Sequence, residues 1–143
     1  MTDRTTHILL VEDDEIDVMN VQRAFKKNKI SNPLYVAGNG IEALEMLRGK
    51  VGDFPREEEC RRIVLLDLNM PKMNGIEFLQ ELRADPKLKS IVVIVLTTSD
   101  QERDRVDAYR LNVAGYILKP VTFSKFVDVV GTLNHYWTLC EIT

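Results

Sequence analysis

Four short apolar runs in this chain, rich in β-branched residues, each end at a polar residue. Ile8–Val11 leads into Glu12-Asp13-Asp14, Ile63–Leu66 into Asp67, Ile91–Leu96 into Thr97, and Tyr116–Leu118 into Lys119-Pro120. Runs of this kind read as strands buried on both faces of a parallel sheet. A weaker run, Leu34–Ala37, is shorter and less apolar, as suits a sheet edge.

Helical segments alternate with these strands. The first is predicted over Glu15–Lys29, with Ile16, Met19 and Val21 among its apolar positions, Asp14 as its cap and Asp17 where a capping box puts an acid. Asn39 with Glu42 opens a second, reaching about Arg48. A third covers Asn74–Ala84 and stops at Asp85-Pro86; a fourth covers Asp100–Asn112, with Ser99 and Glu102 as a capping box. The last begins near Phe123 behind Thr122 and reaches about Cys140. The stretch Gly49–Arg62 holds Gly49, Gly52, Pro55 and Arg56-Glu57-Glu58-Glu59 without a clean period, and reads as an exposed loop or helix extension. The order βαβαβαβαβα implies an α/β fold, a parallel sheet with helices on both faces. In such a sheet the carboxyl ends of the strands form the ligand crevice. An acidic cluster, a lone Asp, a hydroxyl and a Lys are thus expected to converge on one edge.

Bulk composition narrows the field. With 143 residues the chain suits one domain and one sizeable core. A net charge of -3 argues against a general nucleic-acid binder, whose footprint is a basic stripe. No apolar run approaches the roughly 20 residues that span a bilayer, and Met1-Thr2-Asp3-Arg4 lacks a signal peptide's apolar segment. A cytoplasmic protein with no membrane partner is expected. Cys60 and Cys140 form no CxxC pattern and read as reduced thiols.

Clustered carboxylates raise each other's pKa, a cost that a hard cation removes. Mg²⁺, or Mn²⁺ in its place, prefers octahedral oxygen ligands. Asp13 and Asp67 can each give a carboxylate oxygen, Asn69 a backbone carbonyl, and Glu12 a contact through water. Asp67, alone at its strand end, is the best nucleophile, since an aspartate oxygen can attack phosphorus and form an acyl phosphate. Lys119 would neutralise phosphoryl oxygens and Thr97 would donate a hydrogen bond to one, which is electrostatic positioning of a loose transition state. Taken singly, each residue has an ordinary reading: Asp14 a helix cap, Thr97 a strand residue bonding its own backbone, Lys119 a surface lysine, Pro120 a turn former. Four strand ends carrying these types in this order favour the chemical reading.

Val11-Glu12-Asp13-Asp14, Leu66-Asp67-Leu68-Asn69-Met70-Pro71-Lys72-Met73-Asn74-Gly75, Leu96-Thr97 and Leu118-Lys119-Pro120 resemble the receiver domain of two-component response regulators, over nearly the whole chain. The resemblance implies a flavodoxin-like, doubly wound five-stranded sheet of order 2-1-3-4-5, and a single receiver over residues 1–143. It implies that Asp67 takes a phosphoryl group from a phosphohistidine on a sensor histidine kinase. Glu12 and Asp13 match the acidic pair, Thr97 the switch hydroxyl, Lys119 the lysine and Tyr116 the aromatic switch residue; Lys119-Pro120 matches a bond that is typically cis. Thr98 departs from the family's usual small residue and is expected to narrow the approach to Asp67. The long Gly49–Arg62 stretch, Asp85-Pro86-Lys87-Leu88 and the Tyr136-Trp137 tail look like the short regulators that partner bacterial phytochromes.

With no output domain after residue 143, the signal is expected to leave by protein contact, from the fourth helix, fifth strand and fifth helix. Phe126, Val130, Leu133 and Trp137 recur at helical spacing, and Trp137, Leu139 and Ile142 lie beyond the length the sheet needs. A homodimer seam through Phe126, Val130 and Trp137 is expected to cover this face, and a charge at Trp137 to give monomers. Competing classes fit less well. A haloacid-dehalogenase-type phosphatase needs a second Asp two residues after its nucleophile, where this chain has Asn69. A nucleotide or flavin binder needs a phosphate-cradling loop, which Glu12-Asp13-Asp14 replaces. A pseudo-receiver adaptor would not need the intact Asp67, Thr97 and Lys119.

Overall fold

The computed structural model describes residues 5–56 and 60–139. Its elements run β1 (Thr6–Val11), α1 (Glu15–Lys27), β2 (Leu34–Ala37), α2 (Gly40–Leu47), β3 (Arg61–Leu66), α3 (Gly75–Ala84), β4 (Val92–Thr97), α4 (Glu102–Arg110), β5 (Gly115–Leu118) and α5 (Phe123–Leu139). The strands are all parallel, in the order β2-β1-β3-β4-β5, which is the flavodoxin-like, doubly wound arrangement.

Because side chains alternate across a strand, continuous apolar runs cover both faces. Leu9, Val11, Val64, Leu66, Val93 and Val95 point to the side of α2, α3 and α4, where Leu44, Phe78 and Leu82 complete one core. Ile8, Leu10, Ile63, Leu65, Ile94 and Leu96 point to α1 and α5, where Phe25, Val130 and Trp137 complete the other.

The caps explain where helices begin. Asp14 Oδ1 accepts from Ile16 N–H at 2.8 Å and from Asp17 N–H at 3.3 Å. Asn39 Oδ1 accepts from Glu42 N–H at 2.9 Å. Asn74 and Glu77 form a reciprocal capping box. Thr122 Oγ1 accepts from Lys125 N–H at 3.3 Å, at the start of α5.

Several expectations are corrected. Helix α1 buries Val21, Ala24 and Phe25, while Ile16 and Met19 stand exposed, because the i, i+3, i+4 stripe faces α5 from further along the helix. Helix α4 is shorter than expected: Gln101 is its N-cap, without a side-chain bond, since the Ser99 hydroxyl donates to Asp104 Oδ2 instead. The Gly49–Arg62 stretch is irregular up to β3 but not wholly exposed. Phe54 is buried edge-on to Tyr35, with ring centroids 4.9 Å apart, and Cys60 is buried.

The C-terminal seam is overturned as well. Phe126, Val130 and Trp137 are buried in the protomer's own core, Trp137 only 1% exposed with its ring centroid 6.0 Å from that of Phe25. Helix α1 covers this stripe, so those three side chains have no surface to offer a second copy. Lys119-Pro120 is trans, as is every peptide bond among the described residues. Trans is favoured by about 0.5–1 kcal/mol before proline, and strand pairing already positions Lys119, whose N–H donates to Thr97 O at 2.8 Å. Cys140, Ile142 and Glu57-Glu58-Glu59 lie outside the described residues.

Candidate functional site

Three strands deliver the acids and the hydroxyl. In the β1–β3 and β3–β4 registers Val11 pairs with Leu66, and Leu66 with Val95, so Glu12, Asp67 and Thr97 emerge side by side at one sheet edge. Glu12, Asp13 and Asp67 each offer a carboxylate oxygen, all within 4.8 Å of one another. Glu12 and Asp67 are buried while Asp13 is exposed. The Thr97 hydroxyl donates to Asp67 Oδ1 at 2.7 Å, and Asn69 N–H donates to the same oxygen at 3.3 Å. Neither bond uses the second oxygen, Oδ2.

Lys119 arrives from the end of β5. Its ammonium donates to Glu12 Oε2 at 2.6 Å and to Asp17 Oδ2 at 3.2 Å. Burial pushes the Glu12 carboxyl up to about 7, against the pull of the Lys119 ammonium. Burial would also lower the lysine, but its bond to Glu12 and the charges of Glu12, Asp67 and Asp17 outweigh that and hold it above its ordinary value. Lys119 therefore stays a cation beside the acceptor. Both Glu12 oxygens are engaged, Oε2 by Lys119 and Oε1 by Asp14 N–H at 3.2 Å, which leaves Asp13 and Asp67 as the better direct donors. Three converging carboxylates, two of them buried, form an all-oxygen donor set of the kind a hard dication takes.

The glycine of the Asp67–Gly75 motif has a packing reason. A Cβ at Gly75 would lie 2.7 Å from Leu68 Cα and 2.8 Å from Asp67 O. Only glycine lets α3 begin this close behind the acceptor's backbone. At the mouth of the site, Asn69 Nδ2 and Thr98 Oγ1 stand 3.5 Å apart, donor to acceptor. Tyr116 is half-buried and its hydroxyl donates to Ser99 O at 2.9 Å.

The sequence-derived residues Glu12, Asp13, Asp67, Thr97 and Lys119 are thus brought together, with Asn69 and Thr98 at the rim and Tyr116 alongside. Two further participants are not evident from spacing alone. Asp17, whose spacing suits a capping box, bonds Lys119. Ser99, whose spacing to Glu102 suits a cap, links Thr97, Tyr116 and α4. The alternation of apolar strands and polar ends could have flagged Asp17, which sits on the first turn above the same edge.

A flavodoxin-like sheet whose strand ends gather an acidic cluster, a hydroxyl and a lysine around one aspartate defines a receiver. Residues 8–131 match the family model described as the response regulator receiver domain, and the chain belongs to that family. Response regulator Rcp1 of Synechocystis sp. is 36% identical over 132 residues, spanning 91% of this chain and 87% of that protein. The phosphorylated cyanobacterial phytochrome response regulator RcpA superposes with a TM-score of 0.85 at 32% identity, covering 98% of this chain and 99% of its own. The Mn²⁺-bound form of Rcp1 gives a TM-score of 0.81 at 34% identity, with 97% and 99% covered. The chain is thus a response regulator similar to those of phytochrome systems. Receivers of this family are phosphoacceptors that bind Mg²⁺ or Mn²⁺ at an acidic site, and they imply a sensor-kinase partner. Among the described residues no helix is long and apolar enough to cross a membrane.

Proposed function

We propose that Asp67 accepts a phosphoryl group from a sensor kinase phosphohistidine. A carboxylate oxygen of Asp67 attacks phosphorus, the histidine N–P bond breaks, and the freed imidazole takes up a proton. Asp13, Asp67 and the Asn69 backbone carbonyl would hold Mg²⁺ or Mn²⁺, with Glu12 reaching it through water. Such an ion supplies charge neutralisation between the acceptor and the incoming phosphoryl oxygens. Thr97 turns its hydroxyl from Asp67 to a phosphoryl oxygen, and Lys119 balances the added charge.

The observation that carries this reading is the placement of one aspartate between a hydroxyl donor at 2.7 Å and two carboxylate neighbours, with a part-buried ammonium held beside it. Water then returns Asp67 to its free form. The Asn69–Thr98 contact across the mouth, in place of a smaller residue, slows that hydrolysis. Thr97 and Tyr116 together shift the surface of α4, β5 and α5, and the signal leaves by protein contact from one receiver spanning the chain in the cytoplasm. A bacterial phytochrome kinase is the donor class, supported by the phytochrome regulators to which the chain is similar.

Incubation with Mg²⁺ and acetyl phosphate, followed by intact-mass measurement, tests the chemistry. A phosphate adduct that needs Mg²⁺ and disappears in Asp67→Asn is expected. An adduct that survives Asp67→Asn, or none at all on the wild type, overturns the assignment; release of inorganic phosphate from added phosphomonoesters would favour a phosphatase instead.

A further inference from the structure

The turn from β4 into α4 breaks a local rule. Ser99 with Glu102 reads in the sequence as a capping pair, yet α4 starts later, behind Gln101, without any side-chain cap. Ser99 is buried, and each of its polar groups goes elsewhere. Its N–H donates to Thr97 Oγ1 at 3.3 Å, its carbonyl accepts from the Tyr116 hydroxyl at 2.9 Å, and its hydroxyl donates to Asp104 Oδ2 at 2.5 Å. The last is a charge-assisted bond, about twice as strong as a neutral one. The next residue, Arg105, lays its guanidinium over the Tyr116 ring, 5.7 Å from the centroid. Two adjacent residues in the first turn of α4 therefore hold Ser99 and Tyr116.

One oxygen joins this cluster to the acceptor. Thr97 Oγ1 donates to Asp67 Oδ1 and accepts from Ser99 N–H. If that hydroxyl is drawn further toward a group on Asp67, the Ser99 bond changes with it. We infer that Ser99, through its hydroxyl bond to Asp104, is the positioning residue that passes a change at Asp67 to the first turn of α4 and to Tyr116 as one unit. Without the Asp104 tie, Thr97 and Tyr116 can still respond while α4 does not. The proposal rests on Asp67 being the phosphoryl acceptor, and it adds a route out of the site that Thr97 and Tyr116 alone do not give.

The test compares wild type, Ser99→Ala, Ser99→Thr and Asp104→Ala, each with and without Mg²⁺ and acetyl phosphate. Intact mass reports the adduct, and amide hydrogen exchange reports residues 100–106. All four proteins are expected to take up the phosphoryl group. Wild type and Ser99→Thr should show a phosphorylation-dependent change in exchange of about tenfold over that segment, the scale a hydrogen bond to a charged group supports. In Ser99→Ala and Asp104→Ala most of that difference should vanish. A merely structural role for Ser99 would shift exchange in both states and leave the difference intact, and that result overturns the proposal. Should Ser99→Ala fail to fold, the half-buried Asp104 carries the same comparison. Wild type without an adduct overturns the acceptor reading itself, whereas adducts with an undiminished α4 difference in the variants overturn this inference alone.

Discussion

Trp137 lies at the far end of α5, packed on Phe25 of α1, with its indole N–H lacking a hydrogen-bond partner among the described residues. Replacing it with alanine removes the largest side chain of the α1–α5 core and leaves a cavity that helices fixed to a sheet close only partly. Substitutions of this type cost about 3–5 kcal/mol, a large share of the roughly 5–15 kcal/mol that holds a domain together. At roughly 4 °C per kcal/mol for a chain of this size, the thermal midpoint should fall by about 12–20 °C. Trp137→Phe makes the argument sharper. It gives up apolar contact worth about 1–2 kcal/mol at ~0.8 kcal/mol per buried methylene. It also removes a buried donor whose unsatisfied desolvation costs about 1–3 kcal/mol. The two nearly cancel, so the phenylalanine variant should melt within about 4 °C of wild type. Thermal unfolding by circular dichroism, paired with a sedimentation concentration series, decides the matter. If Trp137→Ala melts like wild type while its sedimentation falls from dimer to monomer, Trp137 is a seam residue and the core assignment is wrong.

Other outcomes follow from single contacts. Gly75→Ala drives a methyl group into Asp67 O and Leu68 Cα; a loss of about 1–3 kcal/mol in urea unfolding is expected, together with a lower yield of acetyl-phosphate adduct, and unchanged values for both would refute the close-approach argument. Asp85 is held below its ordinary carboxyl value by the Lys87 N–H, and further by Arg48 at 3.1 Å. Its charged form therefore stabilises the fold at pH values above about 3.9, the unfolded value, and that contribution fades as pH falls through the depressed folded value. The stability gap between wild type and Asp85→Asn, measured by urea titration, should accordingly narrow from pH 6 to pH 3; a gap that widens on acidification would contradict the assignment.

Much of this was legible in the chain because local and global signals agree. Apolar runs rich in β-branched residues marked the three inner strands β1, β3 and β4 and the edge strand β5, and the asparagine and aspartate caps at Asp14, Asn39 and Asn74 marked three helix starts. The strand-end rule then gathered Asp67, Thr97 and Lys119 without reference to any contact. What escaped depended on competition between partners, near or far in sequence, that a local pattern does not weigh. Ser99 followed by Glu102 reads as a cap, but a carboxylate on Asp104 outbids a backbone N–H for the hydroxyl. Asp17 reads as part of a cap until Lys119, more than a hundred residues on, is brought to it. The spacing of Phe126, Val130 and Trp137 specifies an apolar stripe on α5, not what covers it; that depends on where Val21, Ala24 and Phe25 fall along α1. Gly131 completes that seam from the other side. A Cβ there would meet Asn28 Oδ1 at 2.7 Å, and Asn28 Nδ2 donates to Ala24 O and Val127 O, tying α1 to α5.

Why a change at Asp67 should surface at α4 follows from how unequally the helices are anchored. Asp67 directly follows a central strand buried on both faces, and α3 behind it buries Gly75, Phe78, Leu79 and Leu82 under a full capping box. Neither can shift without opening the core, whose close packing transmits strain but does not absorb it. Helix α1 is fastened to α5 by Phe25, Trp137 and Asn28. By contrast α4 buries one residue, Ala108, and lacks a side-chain cap. Elements with few buried apolar contacts open at the lowest free energy, so a perturbation shared by all neighbours of the acceptor is answered by the one that costs least to move. Its exposed Val106 and Tyr109, like the exposed Leu118 at the end of β5 and Val121 just beyond it, are the apolar side chains available for such a movement to rearrange. The same weakness that shortens α4 relative to its sequence pattern is what suits it to carry the signal.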